Sequence, residues 1–147
     1  MRPHVSAYHR RMPGRVRLNH ASAYAREPRA AAEHLAALAG GTVQSFHALD
    51  GAWVCLFEGS WDGGLIEFYP RTSTLAHERG EVCFRDLPRP AAGGGTHFNL
   101  SLPRTRAQIE EICRAQGLVC AWRDWAGFVD VWLEDDLLIE CVPTQPR

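Results

Sequence analysis

The sequence predicts an α+β fold made of one βαβββ unit used twice. Three observations predict it. Two segments with an early histidine, RLNHASAYA (17–25) and GTHFNLSLP (95–103), alternate with the period of two that a strand imposes. Each leads into a helical pattern introduced by proline, EPRAAAEHLAALAGG (27–41) and PRTRAQIEEICRAQGL (103–118). After each helix come three short apolar runs, and the last of each three holds one glutamate and ends in proline: Glu67 in GGLIEFYP (63–70), Glu140 in DDLLIECVP (135–143). His20 thus recurs as His97 and Glu67 as Glu140, with offsets that agree within four residues, the mark of an internal repeat.

In the first helix pattern Ala31, His34, Leu35 and Leu38 fall on one face; in the second, Ile109, Ile112 and Cys113 do, and Gly117 supplies a C-terminal stop. The strands expected after the first helix are 42–49, 52–59 and 64–70, and after the second 118–124, 128–134 and 137–143. Turn chemistry separates them: Asp50-Gly51, the stretch from Trp61 to Gly64, Ala126-Gly127 and Asp135-Asp136. The expected organisation is an N-terminal extension (1–14), a first module (15–70), a linker or flap (71–95) with room for a short strand at Glu81 to Phe84, a second module (96–143) and a C-terminal tail (144–147).

Composition narrows the classes of function. With 147 residues, one domain or two small modules on a common core is expected. A net charge of −1 gives no electrostatic footprint for nucleic acid, although the first 20 residues hold five arginines and no acid. All 16 basic residues are arginine, which reads as coding bias. No apolar run reaches the ~20 residues of a membrane span, and no signal peptide pattern opens the chain. The five cysteines, Cys55, Cys83, Cys113, Cys120 and Cys141, form no CxxC pair and mostly sit in apolar patterns, as reduced thiols of a cytoplasmic protein would.

Strand parity then sorts the side chains. Leu18, His20, Ser22 and Tyr24 share one face of the first strand, and small residues that suit a helix share the other. His97, Asn99 and Ser101 lie opposite the apolar set Phe98, Leu100 and Leu102. Glu67 aligns with Leu65 and Tyr69, and Glu140 with Leu138 and Val142. All four histidines and glutamates of the repeat are therefore expected on faces that carry no helix. A lone strand histidine or glutamate is ordinarily a surface or hydrogen-bonded residue. Two of each at matching places point instead to a divalent metal, because imidazole and carboxylate suit zinc, nickel, cobalt, manganese or iron, and a cation offsets the cost of a buried carboxylate.

The doubled βαβββ with His20, Glu67, His97 and Glu140 resembles the vicinal oxygen chelate superfamily over about residues 15 to 143. That group holds glyoxalase I, methylmalonyl-CoA epimerase, extradiol dioxygenases and the fosfomycin and bleomycin resistance proteins. The resemblance implies a curved, eight-stranded, half-open barrel with helices on its convex side. It also implies one divalent metal per site, held by His20, Glu67, His97 and Glu140 on the concave side. A substrate would place two neighbouring oxygens on a metal acting as Lewis acid. By the same resemblance Glu140 is the first candidate for catalytic base and Glu67 the second. Ser22, Tyr24, Tyr69, Asn99 and Ser101 would contact the substrate. Trp53, Cys55 and Phe57 would form one wall if they face the same way, and Phe128, Asp130 and Trp132 another.

Extradiol dioxygenases and fosfomycin enzymes lack an acid at the place of Glu67, and the epimerase has glutamine there; glyoxalase I can carry two histidines and two glutamates. The implied activity is a metal-dependent lyase or isomerase of glyoxalase type, acting on a small α-oxo or α-hydroxy carbonyl compound. The alternatives are a non-catalytic small-molecule binding or resistance protein and an iron-dependent ring-cleaving dioxygenase. The expected partners are a small-molecule substrate and a second copy in a homodimer, with the site made within one chain or shared between two.

Overall fold

A computed structural model describes residues 18, 20–59, 63–92 and 96–144. The N-terminal extension, Asn19, Trp61 and Asp62 of one expected turn, the glycines 93–95 and residues 145–147 lie outside the described residues. The elements run β1 (His20–Ala25), α1 (Pro28–Ala39), β2 (Thr42–Ser45), β3 (Trp53–Leu56), β4 (Leu65–Pro70), β5 (Ser73–Glu78), β6 (Glu81–Asp86), β7 (His97–Ser101), α2 (Arg106–Gln116), β8 (Val119–Arg123), β9 (Phe128–Glu134) and β10 (Leu137–Val142).

The two modules repeat one topology. The first sheet has the order β1-β4-β3-β2 and the second β7-β10-β9-β8, each with its first strand parallel to its last. Parallel pairing needs a long crossover, which the helix and the hairpin strands after it provide. Helix α1 starts with Pro28 in its first turn and stops at Gly40, whose φ of 80° belongs to the left-handed region. Next to it, Gly41 is held close to β3: a Cβ there would collide with the Leu56 carbonyl oxygen. Helix α2 begins with a capping box, in which Thr105 accepts from the Gln108 backbone and Gln108 answers to that of Thr105.

The buried stripe of α1 is Ala31, Ala32, Leu35 and Leu38. His34, expected on that stripe, sits at its flank and meets the Gln116 side chain of α2 at 3.1 Å. Helix α1 packs on β2, β3 and β4 of its own module and also reaches α2 and β9 of the other. One apolar core therefore takes the helix-facing sides of both sheets: Ala23, Ala25, Ile66 and Phe68 from the first, Val129, Val131, Ile139 and Cys141 from the second. Burying a side chain such as Leu35 or Phe68 there stabilises by about 1.5–3 kcal/mol.

The α+β class and the doubled βαβββ order are as the sequence predicts, and the packing refines how the sheets meet. Among the described residues no strand pairing joins the two sheets, and the helices pack between them. The eight strands of one chain thus stand as two separate four-stranded sheets, and one chain alone does not close them into a barrel. The helix-free face of each sheet, called here its open face, is turned away from the shared core.

The segment 71–95, expected as a linker or flap, contains a full hairpin. β5 and β6 pair antiparallel from Ser73↔Asp86 to Glu78↔Glu81, and Arg79 and Gly80 make the turn with φ of 50° and 89°. The hairpin packs on the open face of the first sheet, where Phe84 meets Tyr69 and Phe46.

The modules are clamped at a second place. Glu134, at the end of β9, accepts the backbone N–H groups of Arg26 and Glu27, just before α1, at 2.8 Å each. Arg71, at the root of the hairpin, pairs with Glu134 and Asp136 of the β9–β10 turn.

Candidate functional site

On the open face of the first sheet, register decides which residues meet. Ser22 lies opposite Glu67, Tyr24 opposite Tyr69, and His20 opposite Leu65. His20 and Glu67 are therefore diagonal neighbours on one face, a separation of roughly 7 Å between Cβ atoms that long side chains can close. Glu67 is buried, with 7% of its surface exposed. Its Oε2 accepts from the Ser22 hydroxyl at 2.8 Å and from the Tyr69 hydroxyl at 2.5 Å. Two neutral donors thus satisfy an acid set among Leu65, Ile66 and Phe68. The Ser22 hydroxyl oxygen also lies 3.3 Å from that of Tyr69. Burial first, and then the Glu67 carboxylate that it donates to, push the Tyr69 hydroxyl well above the usual phenol range, while Ser22 acts the other way. Tyr24 donates to Thr74 of the hairpin at 2.8 Å.

The second sheet repeats the register with other chemistry. Glu140 lies opposite Asn99, and Leu138 opposite His97. Asn99 donates to Glu140 Oε2 at 3.0 Å, and Arg123 donates to Oε1 at 3.2 Å. The same guanidinium pairs with Asp130 at 2.7 Å and lies over the rings of Phe128, 4.8 Å away, and Trp125. The Oδ1 atom of Asp130 is buried with no hydrogen-bond partner among the described residues.

Arg123 did not emerge from the sequence. The parity that placed the four metal candidates could have found it, because β8 puts Val119, Ala121 and Arg123 beside Trp132, Asp130 and Phe128. The wall expected from Phe128, Asp130 and Trp132 does share the face of Glu140, since Asp130 lies opposite Glu140 and Trp132 opposite Leu138. Ser101 also lies on this face and is exposed.

The other expected wall is a correction. Trp53 lies opposite Phe68 and Cys55 opposite Ile66, so both belong to the helix side, and Arg29 of α1 stacks on Trp53 at 5.0 Å. Phe57 packs in part against the shared core and also borders the cavity that His20 and His97 share. Val54 is the residue opposite Glu67. Three alternating residues do share a face here, but register puts them one residue out of phase with Glu67.

His20 and His97 come together in another way. Both border a cavity of about 430 Å³ between the edge strands β1 and β7, with Asn99, Phe57, Leu65 and Phe98 among its lining residues. Glu67 and Glu140 do not line it. Among the described residues no three of the His, Cys, Asp and Glu side chains gather closely enough to hold a metal ion. The donor chemistry suits a divalent ion, but each open face supplies only an imidazole and a carboxylate. The four residues form two half-sites in one chain.

No protein-family model and no curated protein matches this sequence. Solved structures do match in fold. The fosfomycin resistance protein FosX from Mesorhizobium loti aligns with 92% of this chain and 94% of its own at 10% identity, with a TM-score of 0.55. Lactoylglutathione lyase from Agrobacterium tumefaciens aligns with 89% of this chain and 95% of its own at 16% identity and a TM-score of 0.54. A possible glyoxalase from Bacillus cereus covers 87% and 99% at 14% identity, also with a TM-score of 0.54. At such identities the likeness is one of fold alone.

Proposed function

We propose, from the premise that the chain has the fold of the vicinal oxygen chelate superfamily, that it is a metal-dependent lyase or isomerase acting on a small compound with two neighbouring oxygens. The observation that carries this reading is the repeated register: each module sets a histidine and, diagonally from it, a glutamate on its open face. The working site joins His20 and Glu67 of one chain to His97 and Glu140 of a second copy. Such a pairing supplies the two imidazoles and two carboxylates that one chain leaves apart, and the ion would then act as Lewis acid toward the substrate oxygens.

The open face of the second sheet suits a buried role in such a dimer. Val119 is 70% exposed, and Phe128, Trp132, Leu138 and Val142 are half-buried on the same face. Asn99 and Arg123 orient Glu140 there. Of the two carboxylates, Glu67 is the better placed to take a proton from substrate. The two hydroxyl bonds to Glu67 both fall on its Oε2, whereas both oxygens of Glu140 are engaged.

Metal analysis of the purified protein tests the proposal. About one divalent ion per chain is expected after supplementation, and a strong loss in His97→Ala. A wild-type protein that takes up no metal would sink the idea. Mixing His20→Ala with Glu140→Ala protein tests the shared site. Random exchange makes half of the dimers mixed, each with one intact site, so about a quarter of wild-type activity should return. A site contained within one chain would return none.

A second reading, a metal-free binding protein, is favoured by the Arg123 pair to Glu140, which already gives that carboxylate a cation. It predicts that a small ligand raises the melting temperature equally with and without a chelator.

A further inference from the structure

We infer that the β5–β6 hairpin is a hinged cap on the first open face, fixed at its root and able to lift as a unit from Tyr69. The inference goes beyond the functional reading above, for it concerns the opening of the hairpin and needs no metal. Burial along one side of the hairpin falls steadily toward its turn. Ser73, Leu75 and Val82 share a side with Phe84, since Leu75 lies opposite Phe84 and Val82 opposite His77. Ser73 at the root is 6% exposed, Leu75 48%, and Val82, near the turn, 74%. The side that meets the sheet is therefore seated near the root and clear of it at the tip. Among the described residues no strand pairing joins the hairpin to the first sheet. Its two strands pack on each other, and neither runs close along another strand or helix.

The seat itself is small. Phe84 sets its ring edge-on to Tyr69 at 5.4 Å and to Phe46 at 6.4 Å, and Thr74 accepts the Tyr24 hydroxyl at 2.8 Å. The root is held more firmly. Arg71 pairs there with Glu134 and Asp136. Leu87 donates its N–H to the Thr72 carbonyl and Ala91 to that of Arg71, each at 2.7 Å. An arm anchored at one end and lightly seated along its length opens about the anchored end. The face beneath tolerates water. Ser22 and Tyr69 already donate to Glu67, so lifting the cap hydrates a carboxylate and two hydroxyls and leaves none of them without a partner. Tyr69 is 6% exposed with the cap down, whereas Val119 on the second open face is 70% exposed. The segment that read as a linker thus sets whether the first open face can be reached.

Nitration of the full-length protein by tetranitromethane, with Tyr69 followed by mass spectrometry, tests this. Thr74→Val removes the bond to Tyr24 and leaves Phe84 over Tyr69, so faster nitration of Tyr69 reports lifting of the cap. It is expected to rise about 5-fold, the worth of one hydrogen bond in the opening equilibrium. Val82→Ser, at the unseated tip, should nitrate as wild type. Hydrogen exchange gives a second readout, because a two-stranded hairpin is marginal in water and frays once off its seat. In Phe84→Ala, which loses both ring contacts, the amides of residues 73–86 should exchange about 10-fold faster, while those of β3 and β4 keep their wild-type rates. Should Phe84→Ala fail to fold, Thr74→Val decides alone by both readouts. Nitration of Tyr69 at the wild-type rate in Thr74→Val would overturn the inference. So would equal acceleration of the hairpin, β3 and β4, which would make the hairpin an inseparable part of the global fold. Neither measurement uses metal or substrate, so failure of the cap leaves the functional reading as it stands.

Discussion

Glu67 and Glu140 stand at equivalent register positions and live in different electrostatic surroundings. Glu67 is compensated by neutral hydroxyls, Glu140 by the Arg123 guanidinium and an amide. Their place on the helix-free face followed from strand alternation. Their partners did not, because a partner across a sheet depends on register, which alternation leaves free by two residues. The cysteines are a simpler case. Burial pushes the Cys55 and Cys141 thiols up to about 12, and burial together with Cys120 does the same to Cys113. At pH 8 these three should be inert to a disulfide reagent. Thiol titration of the native protein should therefore find Cys83 and Cys120 at most, and all five cysteines only in denaturant. Rapid reaction of a third thiol would contradict the packing of the core.

At the scale of elements, both helices stop at a glycine in the left-handed region, Gly117 as the sequence predicts and Gly40 at the end of α1. Gly41 has another reason to be glycine. It passes against the backbone of β3, where the Leu56 carbonyl leaves no room for a Cβ. Gly41→Ala should cost more than the usual 1 kcal/mol or so of a surface change, about 2–3 kcal/mol in urea unfolding, because the obstacle is backbone and cannot rotate away. An unchanged midpoint would show that β3 moves aside at little cost. The hairpin β5–β6 was legible only as a stretch of Gly, Pro and Arg with one possible strand. Its alternation is blurred because Leu75 and Val82 are both exposed, at 48% and 74%, so hydrophobicity does not mark its buried side.

For the molecule as a whole, the relation between modules rests on the shared apolar core and on the acids of the β9–β10 turn. The hydrogen bond from Arg71 holds the Asp136 carboxyl below the usual carboxylate range, against burial, which acts the other way. A depressed carboxylate contributes stability at neutral pH that is lost as pH falls through its folded value, here below about 4. Wild-type melting temperature should drop more steeply from pH 5 to pH 2 than that of Asp136→Asn, which should start lower at pH 7. Parallel curves would show that Arg71 and Asp136 do not couple the modules. Clamping the modules through their helix-bearing sides also sends the two open faces apart, which is why the expected four-ligand site appears as two halves.

By itself the sequence determined the repeat, the identity and order of nearly every strand and helix, and the face on which each histidine and glutamate lies. These depend on local periodicity, on turn chemistry and on the parity of a strand, all written within a few residues of each position. Only the tertiary structure decided which residues touch Glu67 and Glu140, that Trp53 and Cys55 turn toward the helices, and that one chain holds two sheets back from a common barrel. Those outcomes depend on strand register and on which apolar faces bury each other, and both are settled by contacts between residues far apart in the chain.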